Sequence, residues 1–160
     1  MNVEIPPADV SSLQAALDSV QANIFIADRD FKLIYMNPKA EQTLKNIENA
    51  IFEVFGVRVE DFIGGSIHRF HRHPDQVEKV LMDPMALPHE AMFQFGGVHL
   101  KTSINSIVGP EDEVTGYIVN WEDVSEKTRL LKKMSQRNEL DVDMAKLIIE
   151  LKNIEDRESL

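Results

Sequence analysis

The order of β-rich and helix-rich segments is the sequence feature that most constrains the fold of this chain. Two β-rich runs come first, a helix-rich region follows, and three further β-rich runs complete the pattern. The helix-rich region begins at Asn37-Pro38, a capping residue followed by a first-turn proline. This order predicts a mixed α+β domain. The β-rich runs are residues 23–28, 32–36, 92–95, 98–108 and 114–122.

Alternation along the last β-rich run predicts which of its side chains share a face of the sheet. Successive side chains of a strand point to opposite faces. Tyr117, Val119 and Trp121 therefore share one face, and Ile118 and Asn120 share the other. Trp121 is the single Trp of the chain.

A cluster of histidines lies inside the helix-rich region. His68, His71 and His73 are three of the five histidines of the chain, and they lie between Gly64-Gly65 and Pro74. Imidazole can ligate a transition metal while it is neutral near pH 7, so the cluster is a candidate metal or haem site. A surface helix whose histidines face water has the same spacing. A zinc or nickel site built from His68 and His71 needs further ligands that the sequence does not identify.

Charge and composition exclude several classes of protein. The net charge is −10, and the acidic excess lies in residues 1–124, because residues 125–160 carry eight Lys or Arg and eight Asp or Glu. An acidic domain without a basic stripe argues against a nucleic-acid partner. The absence of Cys excludes disulfides, thiolate-bound metals and covalently attached haem.

The sequence also argues against a membrane protein and against an enzyme. No apolar run approaches the length of a membrane span, and the N-terminus lacks the regions of a signal peptide, so we expect no membrane contact and a cytoplasmic location. No nucleophile–base pairing, paired carboxylates or phosphate-binding loop is apparent in the sequence. We therefore predict that the protein is not an enzyme.

Helices are predicted on both sides of the central region. Residues 9–22 have amphipathic helical spacing, with Asp9 or Ser11 as the cap. The sequence thus predicts an N-terminal cap helix within residues 1–22, a central domain at residues 23–124 and a C-terminal helix at residues 125–160.

The C-terminal helix has the apolar spacing of a coiled coil, which predicts a homodimer seam. A helix that packs back on its own domain is the alternative. Leu131 and Met134 are out of phase with the seam, which predicts a stutter or a break near Asn138. The seam residues are Leu140, Met144, Leu147, Leu151 and Ile154.

Several stretches, which together cover about residues 20–127, resemble the PAS domain, and in particular the haem-binding PAS domains of soluble, aerotaxis-type bacterial chemoreceptors. Phe-His-x-x-Pro combined with a Trp on the last strand is the most specific part of this resemblance. The matching stretches are Ala27-Asp28-Arg29-Asp30-Phe31, Tyr35-Met36-Asn37-Pro38, Phe70-His71-Arg72-His73-Pro74, Asp83-Pro84 with Leu87-Pro88-His89, and Trp121-Glu122-Asp123-Val124-Ser125-Glu126-Lys127.

The resemblance implies a PAS fold, which is a five-stranded antiparallel sheet with helices on one side, flanked by an N-terminal helix and a coiled-coil-type helix. It also implies a non-covalent b-type haem whose iron is ligated by His71, and a hydrogen bond from Trp121 to bound oxygen or another diatomic gas. Asp123 and Ser125 resemble the Asp-x-Thr segment that links PAS cores to their output helix. A downstream receptor or kinase-control domain is the implied partner.

The sequence departs from the subgroup pattern at several positions. His68 and His73 are additional histidines beside His71, so the ligand assignment stays open among the three. Asn120 stands where related sequences often have Thr, and Ser125 replaces the Thr of the linking segment.

The physical requirements of haem suggest roles for the neighbouring residues. A b-type haem needs an apolar slot, an axial donor and cations for its propionates. Phe70, Ile67 and Leu81 are available as apolar walls, and Arg69 and Arg72 as propionate partners. The indole of Trp121 offers one N–H donor and no competing acceptor, which suits partly negative bound oxygen better than carbon monoxide.

The sequence therefore favours an oxygen or gas sensor that signals through its C-terminal helix in chemotaxis or aerotaxis. The alternative is a cofactor-free PAS module that serves dimerisation or binds another small molecule.

Overall fold

The described part of the chain comprises the backbone of residues 10–158 and the side chains of residues 10–150 in a computed structural model. The chain divides after Asp123 into two compact units. The first unit contains the sheet, and the second is a single long helix.

One antiparallel sheet forms the first unit. Its strands are β1 (Asn23–Asp28), β2 (Leu33–Met36), β3 (His89–Phe95), β4 (Val98–Val108) and β5 (Val114–Asp123). Their spatial order is β2-β1-β5-β4-β3, so the first strand of the chain lies beside the last one at the centre of the sheet. The predicted α+β class and five-stranded antiparallel sheet are confirmed.

Along the chain, helices precede β1, lie between β2 and β3, and follow β5. None of the helices within residues 10–158 is both long enough and apolar enough to span a membrane. The helices are α1 (Val10–Ser19), α2 (Pro38–Asn46), α3 (Glu48–Phe55), α4 (Pro74–Met82) and α5 (Ser125–Glu158), and short 3-10 segments occur at Val59–Asp61 and Ile67–Phe70.

The start of α2 is fixed by Asn37, which is fully buried. Its side-chain oxygen accepts hydrogen bonds from the backbone N–H groups of Ala40 and Ile24, both at 3.0 Å. Its amide nitrogen donates to the carbonyl of Ala22 at 2.8 Å. One side chain thus caps α2, as the sequence predicts, and also ties α2 to β1 and to the residues that follow α1.

The N-terminal helix is shorter than predicted. It ends at Ser19 rather than near residue 22, because the carbonyls of Val20 and Ala22 accept hydrogen bonds from Asn37 instead of continuing the helix. Ser11 lies inside the helix rather than at a cap position. The other predicted cap, Asp9, lies outside the described residues, as do the rest of residues 1–9.

The predicted strand limits are largely confirmed. β1 and β4 begin and end where the sequence predicts. β3 begins at His89, three residues earlier than predicted, because the long β4 offers it partners as far as Ile104. β2 begins at Leu33, and the preceding Lys32 forms an isolated bridge with Ser66.

The centre of the sheet requires a glycine. Gly116 on β5 pairs with Asp28 on β1. A Cβ at this position would lie 2.5 Å from the carbonyl oxygen of Ala27, well inside van der Waals contact. The absence of a side chain at Gly116 therefore permits the close approach of β1 and β5.

The second unit is the continuous helix α5. It passes through Asn138 without interruption, so the predicted break there is wrong, and a stutter within an intact helix stays a prediction. Of the seam residues, Leu140, Met144 and Leu147 are more than half exposed. The side chains of Leu151 and Ile154 lie outside the described residues.

Candidate functional site

A cavity of about 500 Å³ is lined by both the sheet and the segments that connect β2 to β3. This volume falls within the range of roughly 300–1,000 Å³ that is typical of small-molecule and cofactor sites. Most of the wall is apolar. The polar or ionisable side chains that line it are His71, Arg72, His73, Gln76, His89, Thr102, Tyr117 and Trp121.

The register of the sheet places the cavity-facing side chains. Trp121 on β5 pairs with Thr102 on β4, and Thr102 pairs with Ala91 on β3. All three line the cavity, together with Tyr117 and Val119. The prediction that Tyr117, Val119 and Trp121 share one face is therefore confirmed.

His71 enters the cavity wall directly after the 3-10 segment Ile67–Phe70. The hydroxyl of Ser66 caps this segment by accepting the N–H of His68 at 3.1 Å. His71 then leaves the turn with extended backbone angles, φ −112° and ψ 131°. Its ring centroid lies 6.3 Å from that of Phe93 on β3. Its Nδ1 is buried and has no hydrogen-bond partner in the described part of the chain.

The surroundings of His71 favour a neutral imidazole. Burial lowers the pKa of His71 below its ordinary value of 6.5, and the proximity of His68 lowers this pKa further. A neutral ring keeps its lone pair available for a metal near pH 7.

We expect the free energy of unfolding of the haem-free protein to fall as the pH is lowered below 6.5, the ordinary pKa of His71. In this window the unfolded chain takes up a proton at His71 that the folded chain does not bind, so acid favours unfolding until the pH passes below the folded-state pKa. Urea unfolding at a series of pH values measures the effect. The slope will be smaller in His71→Gln than in the wild-type protein, and equal slopes in the two proteins would contradict the prediction.

Trp121 is held tightly, but its polar group is unused. The residue is buried on β5, and its ring stacks on Phe25 of β1 with 5.8 Å between centroids and 9° between planes. Its Nε1 is buried and has no hydrogen-bond partner among residues 10–150. A buried indole N–H normally has a partner, so this donor is available to a ligand in the cavity.

The other two clustered histidines have different surroundings. Nε2 of His68 lies 2.9 Å from Oε1 of Glu78 on α4, and His68 does not line the cavity. His73 lines the cavity but is exposed and precedes the first residue of α4. Within the described residues, no three His, Asp or Glu side chains are grouped closely enough to hold a metal ion. Among these residues, the alternative zinc or nickel site at His68 and His71 therefore has no third His, Asp or Glu ligand.

Arg69 does not reach the cavity. Its guanidinium donates to three backbone carbonyls, those of Ser66 at 3.1 Å, Asp61 at 3.1 Å and Phe62 at 3.0 Å. These bonds fasten the loop that leads into the 3-10 segment. The loop holds the guanidinium, and Arg69 does not line the cavity, which argues against its predicted role as a propionate partner.

The remaining predicted cavity residues are brought together. Phe70, Ile67 and Leu81 line the apolar wall, and Arg72 lies at the cavity with an exposed side chain.

The predicted output residues are the end of one element and the start of the next. Asp123 is the last residue of β5, and Ser125 is the first residue of α5.

Sequence reasoning missed Asn23 and Thr43. Asn23 is buried, and its Nδ2 donates to the carbonyl oxygen of Trp121 at 3.0 Å. The hydroxyl of Thr43 on α2 lies 2.8 Å from Oδ1 of Asn23. A polar residue at the head of an apolar β-run resembles a turn residue, so the sequence carries no local signal for this contact.

The cavity meets the chemical requirements of a b-type haem. It offers a neutral, half-buried imidazole in His71, extensive apolar walls, and the cationic Arg72 at the wall. The unpaired N–H of Trp121 adds a donor for a small ligand beside the cofactor. The residues present therefore fit this group.

Two sequence comparisons identify known proteins to which this chain is similar. Residues 11–78 match the family model of the PAS domain. The methyl-accepting chemotaxis protein McpB of Pseudomonas aeruginosa is 29% identical over 125 residues, which make up 78% of this chain and 18% of that protein. The chain thus spans about a fifth of the length of this curated relative.

Solved structures show the same fold at low sequence identity. The Aer2 receptor from Vibrio cholerae, described as a dual PAS-heme oxygen sensor, superimposes with a TM-score of 0.61 at 23% identity, over 64% of this chain and 94% of that chain. An RNA-binding light-oxygen-voltage receptor gives a TM-score of 0.53 at 15% identity, over 88% of this chain and 42% of that chain. Together with the family match over residues 11–78 and the strand order β2-β1-β5-β4-β3, these superpositions show that the chain has the PAS fold.

Proposed function

We propose that this PAS domain is a haem-binding sensor module that responds to oxygen or another diatomic gas. The observation that carries the proposal is that the imidazole of His71 lines the same apolar cavity as the indole of Trp121, whose buried Nε1 has no hydrogen-bond partner among the described residues. Buried polar groups are costly unless they are satisfied. A bound cofactor and its gas ligand would use both groups.

His71 is the proposed iron ligand. Its imidazole is half-buried in the cavity wall and neutral near pH 7. His68 is the weaker alternative, because its Nε2 is engaged by Glu78 and its ring does not line the cavity. His73 lines the cavity but is exposed, so it is better placed, with Arg72, to meet the propionates.

Trp121 is the proposed donor to the gas. Haem, when bound, would supply the iron at which a diatomic gas binds. The indole N–H of Trp121 has one donor and no acceptor. A partly negative ligand such as oxygen would gain more from this donor than a less polar one such as carbon monoxide.

The proposed output runs from β5 into α5. Trp121 lies two residues before Asp123 and four before Ser125 in the sequence. A ligand shifts a conformational equilibrium by the difference between its affinities for the two states. Gas binding at Trp121 would act on the last residues of β5 and so on the start of α5.

We further propose a homodimer that pairs through α5 and signals, without catalysis, to a downstream receptor or kinase-control domain. The exposed apolar residues Leu140, Met144 and Leu147 support a dimer seam. The likeness to a chemotaxis receptor supports chemotaxis-type signalling. A cytoplasmic location stays a prediction.

An absorption spectrum of the purified protein after addition of haem tests this function. We expect a sharp Soret band at a stoichiometry of one haem per chain, which shifts when oxygen is added to the ferrous protein and shifts back when oxygen is removed. Broad absorption without saturation would contradict haem binding. In that case the cavity, which is mostly apolar, would favour a small apolar ligand and a cofactor-free PAS module.

A further inference from the structure

A chain of polar contacts reaches the backbone of Trp121 from α2 through β1. Asn23 is the first residue of β1 and is paired directly with Trp121 on β5. Its Nδ2 donates to the carbonyl oxygen of Trp121 at 3.0 Å. The pair is the last rung between β1 and β5, because Glu122 and Asp123 pair with β4 alone.

Thr43 determines which end of the Asn23 amide faces Trp121. Its Oγ1 lies 2.8 Å from Oδ1 of Asn23 and 2.9 Å from the carbonyl oxygen of Lys39, one turn earlier in α2. Both oxygens are acceptors, so the single proton of the hydroxyl is shared between the Lys39 carbonyl and Oδ1 of Asn23. With Oδ1 engaged by a donor, Nδ2 is left to face the carbonyl of Trp121.

The same face of β1 also holds the ring of Trp121. Phe25 lies two residues after Asn23, so both side chains point to one face of the strand. Phe25 stacks on the indole, while Asn23 bonds the backbone of the same residue. Backbone and ring are therefore both fixed from β1.

We infer that Asn23, oriented by Thr43, is a positioning residue. Through the backbone of Trp121, it fixes the orientation of the indole in the cavity. This inference rests on the proposed function in so far as it assigns the indole a gas ligand. Neither Asn23 nor Thr43 lines the cavity, so both act through Trp121 and not on a ligand. The contact also links α2 to the strand that leads to α5.

Four variants test the inference. Thr43→Val removes the hydroxyl and keeps the shape of the side chain, and Thr43→Ser restores the hydroxyl. Asn23→Ala removes the donor to Trp121. Thr115→Val is the matched control, because Thr115 lies on β5 and bonds the carbonyl of Ile107 far from Trp121.

The first readout needs no cofactor, because Trp121 is the single Trp and alone supplies the indole fluorescence and the indole N–H resonance. In the haem-free protein we expect stronger acrylamide quenching and a shifted N–H resonance in Thr43→Val and Asn23→Ala, and wild-type values in Thr43→Ser and Thr115→Val. In the haem-loaded protein, oxygen should dissociate roughly threefold faster from the first two variants, in proportion to a partly lost hydrogen bond.

Equal indole signals in Thr43→Val and Thr43→Ser would overturn the inference, whatever the protein binds. If Asn23→Ala does not fold, the comparison of Thr43→Val with Thr43→Ser still tests the positioning role. If the protein takes up no haem, the proposed function is refuted but the positioning role is not. The indole signals of the haem-free protein test the positioning role separately.

Discussion

The His71→Ala protein will bind added haem at least about a hundredfold more weakly than the wild-type protein and will lose the sharp Soret band. His71 supplies the half-buried, neutral imidazole of the cavity wall. Outer partners of a metal ligand alone are worth roughly 10- to 100-fold in affinity, so loss of the ligand itself should cost no less. Titration of haem into the purified protein, followed at the Soret band, measures the change.

Free imidazole distinguishes a missing ligand from a damaged fold. Added imidazole should enter the space left by the His71→Ala substitution and restore a Soret band, which it would not do in an unfolded protein. His99→Ala is the matched control, because His99 lies on β4 and does not line the cavity. A band that survives in His71→Ala and disappears in His73→Ala would move the ligand assignment to His73.

Replacing Trp121 by Phe will make oxygen dissociate about tenfold to a hundredfold faster from the haem-loaded protein. A hydrogen bond to a charged acceptor is worth roughly 1.5–3 kcal/mol, which corresponds to that range. Phe keeps an aromatic ring to stack on Phe25 and removes the N–H donor. Carbon monoxide affinity should change much less, because carbon monoxide accumulates less negative charge. Stopped-flow mixing with a competing ligand measures both rates.

Tyr117→Phe is the matched control for the loss of a donor. Tyr117 lies on the same strand and the same face as Trp121, and it also lines the cavity. This substitution removes the hydroxyl of a cavity-lining residue and leaves the indole in place. If Tyr117→Phe speeds oxygen release and Trp121→Phe does not, the donor to the gas is Tyr117.

Local periodicity explains why the face of β5 that lines the cavity could be predicted. The two-residue repeat of a strand depends on neighbouring residues alone, so the shared face of Tyr117, Val119 and Trp121 can be read from the sequence. The contact between Asn23 and Trp121 joins residues 98 positions apart. No local pattern encodes such a pair, because it depends on β1 and β5 becoming neighbours in the sheet.

The three clustered histidines show a second limit of sequence reasoning. In the sequence, His68, His71 and His73 are chemically alike and differ in position alone. Their surroundings separate them, because α4 brings Glu78 against His68 and the end of the 3-10 segment turns His71 into the cavity wall. Arg69 illustrates the same limit, since its three carbonyl partners depend on the path of the preceding loop.

The pairing of the first strand with the last has a consequence for how the domain is made. β1 and β5 pair along six residues, from Asn23 with Trp121 to Asp28 with Gly116. During synthesis on a ribosome, β1 cannot pair with β5 until almost the whole domain has been made. The centre of the sheet therefore forms last. Closing so long a loop costs chain entropy before any contact repays it. The cavity, whose wall includes Tyr117, Val119 and Trp121 of β5, can therefore be completed only after synthesis has passed β5.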